Sequence, residues 1–457
     1  MSRNYFYILN QDKNVLILQT DSDVPTDTFD PSLTSSNLAS WNLVGGTEYT
    51  DVNFLNISSR TGLEANELEG TAQDVEITIT NDEFDSITQL DFTSDNIINT
   101  FDASKLTSLT NLNIGGNPNL TKIINPISSS IYTNYNAEQC GLIGDLDVSE
   151  VTLGGIFRVW GSSGLTNISH KTSTEMFSQY YAFNNGIVGN LNLSMLTGLG
   201  GQIRIFGNSL MTSISNPISN EVISQYYAYS CGLVGRLDVE DLTKLGGQFR
   251  VESNIGLTGI DFPITSQTFS AVNAQNCNLT GNLDLSTLIG IGGDFQVQSN
   301  DFLTSITFQP TTNSNTFSLF RMDNCGIIGA VDISKLEGLG GDVRISLNTG
   351  LTSVTNPASS TIISQYVANG CSLSAFDITP FTGANNNIII RLDQNSLVAA
   401  EAQQIIDDLD AKGWTGGELD MSTQSPIISA GDITIIQGTA AYLNLVDIAG
   451  GNWTVTL

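Results

Sequence analysis

The sequence is poor in basic residues and in long apolar runs. Of its 457 residues, 16 are Lys or Arg and 46 are Asp or Glu, which gives a formal net charge of −30. This excess of negative charge opposes binding to nucleic acid and to anionic membrane surfaces. No run approaches the roughly 18 consecutive apolar residues typical of a membrane-spanning helix. We therefore expect neither a nucleic-acid partner nor membrane insertion.

The N-terminal segment lacks the pattern of a secretory signal. No positively charged stretch followed by a long apolar core is present, so no signal peptide is predicted. Charged residues make up only 14% of the chain, which leaves a surface of mostly Ser, Thr, Asn and Gly. Such an uncharged polar surface suits an extracellular location or the exterior of a virion.

The residue types that carry most catalysis are scarce. His170 is the only histidine, and we expect it in a solvated loop. No nucleophile lies beside a base in the sequence. The repeated Gly-Gly pairs precede predicted strands without a G-x-G-x-x-G or G-K-[ST] motif, which indicates turns and not phosphate-binding loops. We therefore expect no enzymatic activity and no cofactor.

The five cysteines all occupy one position of a repeat. Residues at this position in successive like coils are separated by two strand spacings, roughly 9–10 Å, which is beyond the reach of a disulfide. We predict buried free thiols in preference to disulfides, metal ligands or nucleophiles. The cysteines are Cys140, Cys231, Cys277, Cys325 and Cys371.

The repeat itself is most evident between residues 223 and 260. A strand pattern ending in Tyr226-x-Ala228 leads to Cys231, and a second one ending in Phe249-x-Val251 leads to Asn254. Apolar residues two apart on a strand face the same side, so both pairs are predicted to point into a core. One series of key residues is Asp95, Cys140, Asn185, Cys231, Cys277, Cys325 and Cys371; the other is Asn117, Ser162, Asn208, Asn254, Asn300, Asn348 and Asn395.

The spacing L-x-x-L-x-L-x-x-N/C-x-L in these stretches resembles the leucine-rich repeat. The two interleaved series predict fourteen coils of about 23 residues, within the leucine-rich range. The resemblance implies a mainly β solenoid with one parallel sheet face, in which the Asn or Cys side chain bonds to backbone groups of neighbouring turns.

Three domains are predicted from the change in pattern along the chain. Residues 1–84 form a small N-terminal β domain and cap, which opens with a hairpin of two short apolar runs. Residues 85–397 form the solenoid. Residues 398–457 form an α+β C-terminal cap, with a helix over Val398–Ala411 stopped by Gly413 and two strand-like runs after it.

The last 60 or so residues carry a second resemblance. A short amphipathic helix precedes Gly416-Gly417-Glu418-Leu419-Asp420-Met421-Ser422, and the chain closes on Gly451-Asn452-Trp453-Thr454-Val455. This arrangement resembles the ends of bacteriophage structural proteins, which have a G-G-x-L-D-L-S-like turn and a G-W-x-V-like closing strand. The closing strand here contains one additional residue. The resemblance implies a virion protein.

Two side chains per strand are predicted to point outward from the parallel sheet. Six of the nine arginines occupy the first of these positions, and six aromatic residues cluster on four consecutive strands. Exposed aromatics beside arginines are typical of a binding surface. Three interpretations remain open: the surface binds a host-surface glycan or protein, it packs against a loop, the N-terminal domain or an identical subunit, or it has no partner. The candidate ligand-binding residues are Arg158, Trp160, Tyr181, Phe183, Arg204, Phe206, Tyr227, Tyr229 and Arg250.

A series of aspartates recurs in the L-D-V-like turns. Stacked carboxylates can bind calcium, but capping of turns through local N–H groups is the favoured interpretation, and no metal site is predicted. The residues are Asp147, Asp238, Asp284, Asp332 and Asp377.

Two functional hypotheses follow from the sequence. The first is a bacteriophage spike or tail appendage on the virion exterior, which recognises the host surface or contacts other virion proteins. A homo-oligomer is one of the assemblies that this hypothesis allows, and the sequence does not determine the oligomeric state. The second is a leucine-rich adhesin or interaction module on a bacterial cell surface. An adhesin needs an export signal, so the first hypothesis is favoured.

Overall fold

The computed structural model describes residues 106–457 apart from 314 and 384, residues 87–104 apart from 92, 95 and 96, and five short strands before residue 79. The predicted key residue Asp95 lies outside the described residues. The fold is mainly β, a parallel solenoid of about 13 turns with helices near the C-terminus, which confirms the predicted fold class. Two compact units comprise Met1–Gly232 and Leu233–Leu457.

The described residues of unit 1 form eighteen strands. They are β1 Tyr5–Asn10, β2 Val15–Thr20, β3 Asn42–Gly45, β4 Ser59–Thr61, β5 Asp74–Thr78, β6 Ile87–Asp91, β7 Ile97–Asp102, β8 Asn111–Asn113, β9 Leu120–Ile124, β10 Ile131–Asn136, β11 Ile143–Val148, β12 Thr152–Arg158, β13 Gly164–His170, β14 Phe177–Tyr181, β15 Gly189–Asn192, β16 Gly201–Arg204, β17 Met211–Ser215 and β18 Ile223–Tyr227.

The described residues of unit 2 form fifteen strands and three helices. They are β19 Val234–Asp238, β20 Leu245–Arg250, β21 Gly256–Asp261, β22 Phe269–Asn273, β23 Thr280–Asp284, β24 Ile291–Gln296, β25 Phe302–Thr307, β26 Phe317–Arg321, β27 Ile328–Asp332, β28 Gly341–Arg344, β29 Gly350–Thr355, β30 Ile363–Val367, β31 Ile389–Arg391, α1 Ala399–Lys412, β32 Glu418–Asp420, α2 Ala430–Gln437, α3 Ala440–Val446 and β33 Thr454–Thr456.

Each solenoid coil carries one strand on a front sheet and most coils carry a second strand behind it. In unit 1 the front sheet is parallel over the order β6-β8-β10-β12-β14-β16-β18, and β3 pairs antiparallel with β6. The strands behind it pair as β7–β9, β11–β13 and β15–β17. The predicted N-terminal hairpin is confirmed, because β1 and β2 pair antiparallel, and β5 pairs with β2.

Unit 2 repeats this coil and extends it to the C-terminus. Its front sheet runs β20-β22-β24-β26-β28-β30-β31-β32-β33, again parallel. The pairs behind it are β19–β21, β23–β25 and β27–β29. The last three strands of the chain therefore belong to the same sheet as the coils that precede them.

The core of each coil is built from the alternating inward residues of the front strand. Tyr226, Ala228, Phe249 and Val251 are fully buried, as predicted. In unit 1 the inward rings also stack across strands, with ring centroids 5.4 Å apart for Tyr135–Phe157 and 5.1 Å apart for Phe157–Tyr180.

The repeated Asn or Cys ties each coil to its neighbours. Asn208 Nδ2 donates to the carbonyl of Ala182 in the preceding coil at 2.9 Å and to that of Ile205 at 2.7 Å. Its Oδ1 accepts from the backbone N–H of Asn185 at 3.0 Å. Cys231 Sγ lies 3.3 Å from the carbonyl oxygen of Ile205. These contacts confirm that this position bonds to the backbone of neighbouring turns.

The C-terminal region agrees with the prediction in its first half and differs in its second. Helix α1 is confirmed, with Ala402, Ile405, Ile406 and Leu409 buried, and it ends at Gly413 in the left-handed conformation. The prediction of two further strand-like runs was wrong where the chain forms α2 and α3. The Ser429 side chain accepts from the Asp432 N–H and so starts α2, and Thr439 starts α3 in the same way; these caps outweigh the β-branched content.

Among the described residues, no helix is both long enough and apolar enough to cross a membrane. The predicted domain boundaries near residues 84 and 397 stay predictions.

Candidate functional site

The candidate site lies on the outward surface of four neighbouring front strands of unit 1, β12, β14, β16 and β18. We call the eight residues of this surface the aromatic patch; they are Arg158, Trp160, Tyr181, Phe183, Arg204, Phe206, Tyr227 and Tyr229. The parallel register places Arg158 beside Tyr181, Tyr181 beside Arg204, and Arg204 beside Tyr227. Eight of the nine predicted site residues therefore share one continuous surface.

Four of these residues form a ring stack; they are Trp160, Phe183, Phe206 and Tyr229. Each lies two residues after a member of the arginine and tyrosine row, which consists of Arg158, Tyr181, Arg204 and Tyr227. Ring centroids are 4.9 Å apart for Trp160–Phe183, 4.5 Å for Phe183–Phe206 and 4.4 Å for Phe206–Tyr229. The corresponding interplanar angles are 11°, 11° and 7°. The four rings are thus nearly parallel, one per strand.

Backbone hydrogen bonds hold the ring stack in register. The N–H groups of Gly161, Asn184 and Gly207 donate to the carbonyls of Phe183, Phe206 and Tyr229 in the next coil, at 3.1, 2.9 and 3.0 Å. Both faces of Phe183 and of Phe206 are covered by neighbouring rings, and these side chains are half-buried. The parts of these two rings that solvent reaches are therefore their edges.

The second row alternates arginine with tyrosine. Arg204 Cζ lies 4.9 Å from the ring centroid of Tyr181 and 5.5 Å from that of Tyr227, so its guanidinium is held between two phenol rings. Arg158 Cζ lies 5.8 Å from the Tyr181 centroid. Cation–π contacts of this kind contribute about 0.5–1 kcal/mol each at exposed sites, and they fix the direction of both guanidinium groups.

Neutral glutamines complete the arginine and tyrosine row. Arg158 donates through Nε and Nη2 to Gln179 Oε1, at 2.9 and 2.6 Å. Arg204 makes the same pair of bonds to Gln225 Oε1, at 3.1 and 2.7 Å. In both residues Nη1 makes no hydrogen bond to any described residue. Each arginine therefore keeps donor groups available on the outward surface.

The two arginines of the aromatic patch differ in pairing from the others. Seven arginines lie in the region from residue 106 onward, and five of them make ion pairs: Arg236, Arg250, Arg321, Arg344 and Arg391. Arg158 and Arg204 make no ion pair with any described residue. The ninth predicted site residue, Arg250, belongs to unit 2 and is paired with Glu252.

Sequence reasoning missed three residues that shape the patch. Gln179 and Gln225 were not identified as partners of the arginines, although each follows its arginine by 21 residues. Glu138 was also missed; its Oε2 accepts from Trp160 Nε1 at 3.0 Å and orients the indole at the end of the ring stack. The repeat length could have identified these three residues, because it predicts which side chains are neighbours on adjacent strands.

His170 differs from its prediction as a solvated loop residue. It ends β13, and its Nε2 lies 2.9 Å from the hydroxyl oxygen of Tyr180. Its ring contacts Phe157 edge-on at 5.7 Å. Burial lowers the pKa of the His170 imidazole to about 3. Its environment is apolar because β13 lies behind the front strand, a position that the local sequence did not reveal.

The cysteines are free thiols, as predicted. Four are buried and Cys277 is half-buried. Burial raises the pKa of Cys140, Cys231, Cys277 and Cys371 to about 11 and that of Cys325 to about 12. At neutral pH these thiols are protonated, and nucleophilic attack requires the thiolate.

The repeated aspartates cap turns, as the favoured interpretation predicted. Each accepts through Oδ1 the backbone N–H two residues later, at 2.8–3.0 Å; the residues are Asp147, Asp238, Asp284, Asp332 and Asp377. The part of the chain that the structure describes contains no group of three or more His, Cys, Asp or Glu residues arranged to hold a metal ion.

No protein-family model matches this chain, and no curated protein matches it.

Proposed function

We propose that this protein is a surface-recognition component of a bacteriophage particle, a spike or tail appendage on the virion exterior that contacts the host surface through the aromatic patch. The ring stack beside two arginines without ion pairs carries this proposal. Aromatic side chains and arginines are the residues that contribute most to binding interfaces.

The composition of the patch supports recognition over structural packing alone. The rings are already ordered by one another and by backbone pairing, so a ligand meets a preorganised surface and loses little side-chain entropy on ordering it. The patch residues other than Tyr181 are only half-buried. A partly exposed aromatic surface of this kind is typical of a binding site.

The virion location rests on sequence features. The C-terminal segment resembles the ends of bacteriophage structural proteins, and its helix α1 and closing strand β33 follow that pattern. The solenoid coils resemble leucine-rich repeats in spacing and in the use of Asn or Cys. Buried free thiols and a polar exterior with few charged residues are compatible with assembly in a reducing compartment followed by exposure outside the cell.

The test is binding of the purified protein to whole bacterial cells and purified surface polysaccharides, with Trp160→Ala and Tyr227→Ala combined in one variant. We expect the double variant to lose binding while its circular dichroism stays that of the wild type, since neither side chain belongs to the solenoid core.

A matched control removes an aromatic that is exposed elsewhere. Phe302 lies in unit 2, with 61% of its surface accessible, so Phe302→Ala should bind as the wild type does. Undiminished binding by the patch variant contradicts the proposed function.

A further inference from the structure

Arg158 and Arg204 have neutral glutamines at the cross-strand position where an arginine of unit 2 has an aspartate. In unit 2, Asp342 occupies the cross-strand position next to Arg321 and bonds to it at 2.9 Å, and it also pairs with Arg344. Gln179 and Gln225 occupy the corresponding positions beside Arg158 and Arg204. A neutral amide accepts hydrogen bonds from each guanidinium without cancelling its charge. Two positive charges therefore remain on this surface of a chain with net charge −30, and the Glu138 carboxylate lies at the Trp160 end of the ring stack.

The rings add to this positive potential. An aromatic quadrupole is negative on the ring face and positive at the edge. Because stacking covers both faces of Phe183 and Phe206, a ligand meets the positive edges. Stacking of a sugar face on these two rings is blocked, whereas acceptor oxygens can approach them.

The spacing of the charges selects the form of the ligand. Arg158 on β12 and Arg204 on β16 are separated by β14 alone, which places them two strand spacings apart, about 9.6 Å. An extended chain of sugars with one acidic group on every second residue repeats over a similar length. Side chains on one face of an extended peptide repeat at about 6.7 Å, which does not match.

We propose that the aromatic patch binds an acidic polysaccharide whose carboxylates alternate with neutral sugars. The chain lies across the front strands, with successive carboxylates at Arg158 and Arg204 and neutral hydroxyl oxygens along the edges of the ring stack. This inference rests on the proposed function and specifies the ligand of the same surface.

The experiment measures the affinity of the full-length protein for three oligomers of equal length by calorimetry. They are a decasaccharide of alternating glucuronate and N-acetylglucosamine, a neutral N-acetylglucosamine oligomer, and oligoglutamate. We expect the alternating oligomer to bind at least tenfold more tightly than either of the others. We also expect added salt to weaken its binding, because the two guanidinium groups are only half-buried and dissolved ions screen charges that solvent reaches.

Variants then assign the effect to the two arginines. Arg158→Gln with Arg204→Gln should lower affinity for the alternating oligomer at least tenfold, and the double lysine variant should recover most of it because charge is restored. Arg344→Gln is the control, since Arg344 is on an outward position but already paired with Asp342. Thermal unfolding of each variant shows whether it is folded.

Three results overturn the inference. The first is equal or tighter binding of the neutral or the peptide oligomer, the second is undiminished binding by the folded double glutamine variant, and the third is absence of binding to all three oligomers. None of them removes the proposed function, which fails only when binding to cells survives the combined Trp160→Ala and Tyr227→Ala changes.

Discussion

At the residue scale, the identity of one cross-strand neighbour decides what an outward arginine does. Arg321 has Asp342 21 residues later and forms an ion pair, whereas Arg204 has Gln225 at the same distance and keeps its charge. The repeat would have allowed this difference to be predicted. The sandwich of Arg204 between two tyrosine rings could not be predicted, because it depends on side-chain rotamers that strand alternation does not specify.

His170 provides a pH-dependent contribution to stability. Its pKa is lowered to about 3 in the folded chain and is near 6.5 in the unfolded chain. As the pH falls below 6.5 the unfolded state takes up the proton first, so stability present at pH 7 is lost towards pH 3. Between pH 7 and pH 5 the free energy of unfolding should fall by about 2 kcal/mol from this group.

Urea unfolding of the wild type and of His170→Gln at both pH values measures this effect. The variant should be less stable overall, because it loses the ring contact with Phe157, but it should show a smaller decrease in stability on acidification. Since His170 is the only histidine, the difference between the two proteins isolates it. An equal decrease in both proteins contradicts a buried neutral imidazole.

At the element scale, the second glycine of the Gly-Gly pairs lies at a bulge of the front strand. Gly201 has φ +62 and an added Cβ would overlap the carbonyl oxygen of Ser178 in the neighbouring strand. The pairing register shifts at this residue. The sequence analysis predicted turn glycines at these positions, just before a strand. It did not predict that the glycine backbone approaches the neighbouring strand closely, which only the structure shows.

Two alanine substitutions separate backbone conformation from close contact. Gly189 also has positive φ, at +73, but an added Cβ there meets nothing within 4 Å. Gly189→Ala should therefore lower the free energy of unfolding by about 1–2 kcal/mol, the cost of the left-handed conformation. Gly201→Ala adds a backbone clash and should cost at least about 1 kcal/mol more. Equal costs in urea unfolding contradict the described approach of the two strands.

The elements predicted best are those with a fixed period. The Asn and Cys positions recur at nearly constant spacing, and their contacts are as expected. The series continues further than predicted, to Gln424, whose Nε2 donates to the carbonyls of Leu392 and Met421 at 2.8 and 3.0 Å. It was missed because α1 lengthens this coil and breaks the spacing. Helices α2 and α3 were missed because their apolar runs have no clear period.

At the scale of the whole molecule, the sequence predicted a solenoid because each coil repeats one short pattern. Stacking buries the inward face of every coil against its neighbours, so local spacing determined the architecture without long-range information. A binding partner does not impose a periodic pattern of this kind on the sequence. The ring stack breaks the repeat, since the corresponding outward positions in unit 2 carry Glu252, Gln275, Gln298, Asp323 and Ser346, and a departure of this kind indicates a role beyond folding.

The molar mass of the protein in solution tests most directly whether the aromatic patch is a recognition surface or an interface between subunits. Light scattering should give the same mass for the wild type and for the combined Trp160→Ala and Tyr227→Ala variant, because the patch faces a ligand and does not hold copies of the chain together. A smaller mass for the variant would show that the patch is an interface between subunits and would contradict its assignment to host recognition.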